Sequence, residues 1–217
     1  MKMKAFFGAL ALAGAFLVTS CGSPAGSDQE QNETLSAMEQ NLSKYVGFEL
    51  KTDLSHLSDQ QRQMLGLLFE AADLMNEIYW QQAYGDREEL LGQVTDSLTQ
   101  EFIRINYGPW DRLNGNESFV DGIGPKPKGA NFYPPDMAKE EFEAWDNPDK
   151  SSLYTLIHRD EQGALQAIWY HEAYAEQTMR AAELLKEAAA LAADDGFRNY
   201  LNLRAEALLT DDYRASD

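Results

Sequence analysis

The sequence predicts a mainly α fold with one small β-hairpin, an α+β chain in which helices dominate. Three observations carry this. Apolar residues recur at three- and four-residue steps through most of the chain after Ser58. Good N-cap residues, Ser58 and Asp136, stand just before two of these runs. One pair of β-prone segments flanks a short turn, Asp160-Glu161-Gln162-Gly163.

The helices follow in order. Ser58 caps a long one, with Asp59 in the first turn and Met64, Leu68, Ala71, Met75, Ile78 and Tyr79 on one apolar face. Gly85, after Tyr84, ends it. A short helix follows Asp86, and another runs from Asp96 through Leu98, Phe102 and Ile105. Asn106 to Pro135 breaks the pattern, with five of the seven prolines and five of the fifteen glycines. Asp136 is read as the cap of a helix carrying Phe142 and Trp145, ended by Asn147-Pro148. Leu153 to Arg159 and Ala164 to Tyr170 form the hairpin around a four-residue loop. A long amphipathic helix from Glu172 carries Tyr174, Ala181, Leu185, Ala188 and Ala192. Asp194-Asp195-Gly196 breaks it before a last helix with Phe197, Leu201, Ala205 and Leu208.

Composition narrows the function. The 217 residues are 44% hydrophobic and 25% charged, an average globular make-up for one domain or one and a half. A net charge of −18 leaves no basic surface for nucleic acid or for anionic lipid. One cysteine excludes an intramolecular disulfide framework and any zinc cluster built on several thiolates.

The first segment reads as an address. Lys2 and Lys4 precede an apolar stretch from Phe6 to Val18, too short to span a bilayer comfortably. Val18-Thr19-Ser20-Cys21 then resembles a bacterial lipobox. That resemblance implies removal of residues 1–20, lipidation of Cys21 and a place in the cell envelope, facing the periplasm or on the outer membrane. Residues 21–43 read as the lipidated cysteine with a flexible tether, and 44–217 as the folded part.

Little chemistry is visible in the remainder. His171-Glu172 begins like a His-Glu-x-x-His zinc motif, but the second ligand's place holds Ala175. His56, His158 and His171 read as surface or packed residues, and Glu70, Asp73 and Glu77 as a solvated acidic helix face. No nucleophile elbow and no phosphate-binding glycine loop occurs. The distinctive segment is Asn106 to Pro135, which reads as an ordered loop held by its aromatic residues. Trp110 and Phe132 are its expected anchors, and Asn114 and Asn116 offer amides for loop packing or ligand contact.

That loop, with Phe69-Glu70-Ala71-Ala72-Asp73-Leu74-Met75 and Trp80-Gln81-Gln82-Ala83-Tyr84-Gly85, resembles the N-terminal part of bacterial members of the dipeptidyl peptidase III family. Tyr154-Thr155-Leu156-Ile157, Tyr170-His171-Glu172-Ala173 and Leu203 to Tyr213 continue the likeness in the same order. The resemblance implies part of one lobe of a two-lobed zinc metallopeptidase that removes dipeptides from peptide N-termini. The family's His-Glu-x-x-Gly-His motif is missing, so the resemblance supplies no catalytic residue and no metal ligand in this chain. Zinc is expected in the full-length family member and not on this chain alone, which is read as an N-terminal piece. The alternative is a helical, lipid-anchored binding lipoprotein without catalysis.

Overall fold

The computed structural model describes residues 35–217. The signal segment, Cys21 and most of the expected tether lie outside the described residues. Within the stretch read as tether, however, α1 (Ala37–Leu42) is helical. Ser36 and Glu39 form a reciprocal capping box, Ser36 N–H donating to Glu39 Oε2 at 2.7 Å and Glu39 N–H to Ser36 Oγ at 3.3 Å. Hydrogen bonding to the Ser36 side chain first, and then to its backbone N–H, holds the Glu39 carboxyl below its usual range.

The helix α2 (Asp59–Ala83) begins at Ser58 as expected, in a second capping box closed by Gln61. Two helices follow. Asp86 caps α3 (Arg87–Gly92), and Asp96 caps α4 (Ser97–Asn106). A small hairpin of β1 (Trp110–Asp111) and β2 (Glu117–Ser118) then opens the proline-rich segment, where the sequence pattern showed no strand. Next come α5 (Lys139–Ala144), β3 (Thr155–Arg159) and β4 (Leu165–Trp169). These two strands pair antiparallel, with Ile157 opposite Ala167. The chain closes with α6 (Tyr170–Ala173), α7 (Ala175–Leu191) and α8 (Asp195–Thr210).

The main core forms where α7 packs against both α2 and α8. Its buried side chains are mostly small: Ala71, Ala181, Ala182, Ala188, Ala189 and Ala205, filled out by Leu184, Leu185 and Leu201. Small residues let helix axes approach closely, so shape complementarity rather than bulk holds this layer. A second core gathers Trp80, Leu90, Leu91 and Ile103 at the C-terminal end of α2. A third joins α2 to the β3–β4 hairpin through Ile78, Leu156 and Tyr174.

Three local expectations need correction. Asp136 does not cap α5, whose N-cap is Ala138. It accepts instead from Arg159 Nε at 2.9 Å, while Arg159 grips Glu141 with both terminal nitrogens at 2.8 and 2.9 Å. The charge-assisted bond to the guanidinium holds the Asp136 carboxylate at the hairpin rather than at the helix terminus. The expected long helix from Glu172 is two helices, broken at Tyr174 (φ −119, ψ 34). The direction of α6 is fixed by Tyr170 N–H on Tyr154 O and His171 N–H on Asp211, whereas α7 follows its packing on α2 and α8. Buried Tyr174 takes up the difference. Finally, five residues rather than four separate β3 from β4, since Asp160 Oδ1 accepts from both Gln162 and Ala164 N–H.

Candidate functional site

The segment from Asn106 to Pro135 is ordered through its own polar residues. Tyr107, in the left-handed region at φ 54, ends α4 and turns the chain. Gly108 follows at φ +149, where a Cβ would come within 3.3 Å of the Trp110 ring, so only glycine fits there. The Asn106 side chain is buried and satisfied at both ends: Nδ2 donates to Phe102 O at 3.0 Å, and Oδ1 accepts from Arg112 N–H at 3.0 Å. Asp111, also buried, accepts from Leu113 N–H at 2.9 Å and from Lys44 Nζ at 3.2 Å. The Lys44 contact ties the start of the described chain to the loop.

Trp110 is buried within this segment. It is only 7% exposed, packs on Tyr84 with ring centres 5.6 Å apart, and its Nε1–H donates to Gly124 O at 2.9 Å. Lys126 Nζ lies 5.8 Å over its ring. Phe132 is half-buried against the core that joins α2 to the hairpin. Asn114 and Asn116 stand apart from both. Each is exposed, Asn114 bonding to Glu117 in the β1–β2 turn and Asn116 sitting at φ 61 to make that turn. Their role is turn geometry, and the structure does not bring them together with Phe132 around a ligand.

The second half of the loop closes on α2. Asn131 N–H donates to Gln82 O at 3.0 Å and its Nδ2 to Gln81 O at 2.8 Å, satisfying carbonyls that a helix end leaves open. Phe132 O accepts from Ile157 N–H at 3.0 Å, so the loop continues onto the edge of β3. The result is an open groove of about 560 Å³ at the end of α2, where Glu77, Gln81, Asp86, Arg87, Glu88 and Asn131 offer polar groups over Trp80.

A second cavity, of about 330 Å³, lies between α2, α6 and the chain after α8. Tyr154, Tyr170, Tyr174 and Tyr213 line it together with Asp211. Burial pushes the Tyr174 hydroxyl up to about 12, and burial first, with nearby acidic groups, raises Tyr170 and Tyr213 as well. These phenols are neutral hydrogen-bonding groups at neutral pH. Asp211 sits in the left-handed region at φ 55, buried, and accepts from His171 twice: from N–H at 3.1 Å, with ring Nδ1 at 2.7 Å. His171 is therefore a packed histidine that locks α6 to the end of α8. Nothing local in the sequence marks Asp211 as its partner across forty positions.

Among the described residues no three His, Cys, Asp or Glu side chains come together as a metal would require. His56 precedes α2, His158 lies on β3 and His171 is engaged by Asp211. The geometry offers grooves and hydrogen-bond donors.

Comparison with known proteins places this architecture. No family model matches the chain. It is 26% identical to Nudix hydrolase 3 of Arabidopsis thaliana over 83% of this chain and 32% of that protein. Two solved structures also align with it. Dipeptidyl-peptidase III from Corallococcus sp. strain EGB is 29% identical at a TM-score of 0.75, over 82% of this chain and 36% of that one. The structure of DPP III from Caldithrix abyssi is 41% identical at a TM-score of 0.78, over the same shares. The chain thus spans about a third of the length of the proteins it matches, and over that part it resembles bacterial dipeptidyl-peptidase III in both sequence and fold.

Proposed function

We propose that this chain forms part of one lobe of a zinc-dependent dipeptidyl peptidase, which releases dipeptides from peptide N-termini, and that its own residues shape and support the lobe rather than carry out the chemistry. The observation behind this reading is the 41% identity at a TM-score of 0.78 with the Caldithrix abyssi protein. The zinc and the group that activates water belong, in this proposal, to the two thirds of such an enzyme outside the match. The residues described here contribute the α2-end groove and the tyrosine-lined cavity as surfaces for peptide substrate or for the opposing lobe. Cys21 carries the lipid that holds the assembly in the bacterial envelope.

The test is a chimera in which residues 35–217 replace the matching part of the Caldithrix abyssi protein. Release of dipeptides from a chromogenic peptide substrate, at a rate within about tenfold of the parent, is the expected result. A folded chimera with its zinc in place and no turnover overturns the reading. In parallel, the 217-residue chain carrying Cys21→Ser is dialysed and assayed for metal. Stoichiometric zinc with chelator-sensitive dipeptide release from this chain alone would place the active site among residues assigned here to packing.

A further inference from the structure

Between α1 and α2 the chain carries an apolar strip that nothing among the described residues covers. Val46, Phe48 and Leu50 are 89%, 82% and 88% exposed. They alternate with Gly47, Glu49 and Lys51, a period of two. Lys51 Nζ meets Glu49 Oε2 at 2.8 Å, so side chains two positions apart lie on one side, as extended backbone places them. Among the described residues, no backbone N–H or C=O from Val46 to Thr52 bonds to another backbone group. Val, Phe, Leu and Thr are residues of a half-buried strand rather than of a solvated linker.

The segment is fixed at both ends. On one side Lys44 pairs with buried Asp111 at 3.2 Å, and Tyr45 sits edge-on to fully buried Phe102 with ring centres 5.9 Å apart. On the other, Arg62 Nη2 donates to Ser55 O at 3.4 Å and Ser58 caps α2. Seven residues of ladder donors and acceptors, roughly 23 Å long at about 3.3 Å per residue, are thus held in place and left without a partner among the described residues. An isolated strand gains stability only by joining a sheet, and an open edge invites strand addition.

We infer that Val46–Thr52 is a sheet strand whose partner is an extended, apolar-alternating strand in the polypeptide that makes up the other two thirds of the dipeptidyl-peptidase III relatives. This rests on the reading of the chain as part of such a peptidase, and the relatives supply the occupant, since only 36% of each solved chain is matched. Main-chain hydrogen bonds give the pairing its affinity. The Val46, Phe48 and Leu50 side chains fix its register, because a slip of one residue would turn Glu49 and Lys51 onto the buried face.

Amide hydrogen exchange tests this in the 217-residue chain carrying Cys21→Ser and in the chimera with the Caldithrix abyssi protein. In the chain alone, amides 46–52 exchange freely. In the chimera, alternate amides of this stretch slow at least about a hundredfold, the pattern of pairing along one edge. Phe48→Asp removes that protection, while Glu49→Gln on the opposite side keeps it. If the chimera does not fold, grafting Val46–Thr52 alone into the Caldithrix abyssi protein gives the same readout. Free exchange in the chimera or the graft overturns the inference. So does protection already present in the chain alone, whether from a second copy, seen as a dimer by mass, or from residues 1–34 in a monomer. An active chimera with free amides refutes the strand and leaves the peptidase reading intact. A protected but inactive one does the reverse.

Discussion

Replacing Trp110 by alanine gives the sharpest test of how the proline-rich segment is held. The side chain is 7% exposed, enclosed between Tyr84 and the Gly108 backbone, and tied to Gly124 O at 2.9 Å. Truncating a buried aromatic of this size costs about 3–5 kcal/mol in transfer and cavity terms. Loss of the indole hydrogen bond adds about 1 kcal/mol and leaves the Gly124 carbonyl without its donor. With a urea slope near 2 kcal/mol/M for a domain of this size, the midpoint falls by about 2–3 M. Trp110→Phe keeps most of the ring and loses the bond, so its midpoint falls by about 0.5–1 M. Urea unfolding followed by far-UV circular dichroism measures both. Limited proteolysis adds a local readout: the variant is cut between Gly108 and Gly124 while α7 and α8 stay intact. A midpoint shift under about 0.5 M for Trp110→Ala, with unchanged proteolysis, refutes the argument that this ring holds the loop.

Other perturbations follow from the same geometry. Asp211→Ala removes both contacts to His171 and strains a left-handed position, and thermal unfolding should show a loss of about 1–3 kcal/mol, with Asp211→Asn losing less. Tyr174 has its folded-state hydroxyl raised to about 12 from an ordinary value of 10.0, so its contribution to stability is whole below pH 10 and is lost as pH rises toward 12. Stability measured between pH 10 and pH 12 should therefore fall more steeply in the parent than in Tyr174→Phe; equal slopes would contradict this. On the proposal that Cys21 is lipidated, Cys21→Ser should shift the protein from the membrane to the soluble fraction, since acyl chains supply about 0.8 kcal/mol per buried CH₂. A variant that stays with the membrane shows that another segment anchors it.

The elements legible in the sequence are those decided by neighbours along the chain. Ser58, Asp86 and Asp96 each cap the helix they announce, because a cap is a bond between residues three apart. Trp110 is buried and Phe132 half-buried, as large aromatic side chains tend to be. The failures come from contacts made across the fold. Asp136 has a good capping residue's chemistry, yet Arg159 lies close to it only after the hairpin has formed. The period of Glu172 to Ala192 runs through Tyr174 without interruption, and the break comes from two different packing partners on either side. Of the two roles open to Asn114 and Asn116, loop packing or ligand contact, the structure describes turn packing, since turn formers and binding residues draw on the same amino acids. The pairing of His171 with Asp211 has no local signature at all.

The two bonds from Asn131 to the last carbonyls of α2 have a mechanical consequence. The same short stretch passes its Phe132 carbonyl to Ile157 of β3, so the helix end and the hairpin are coupled through two adjacent residues. The helix end cannot fray without releasing the loop, and the loop cannot lift without uncovering the Phe132 ring. The end of α2, residues 131–132 and β3 therefore open as a single cooperative unit with one opening free energy, rather than as a stiff helix beside a soft loop. Load applied to the groove at Glu77 and Gln81 is carried directly into the hairpin, and through Tyr170 N–H on Tyr154 O into α6.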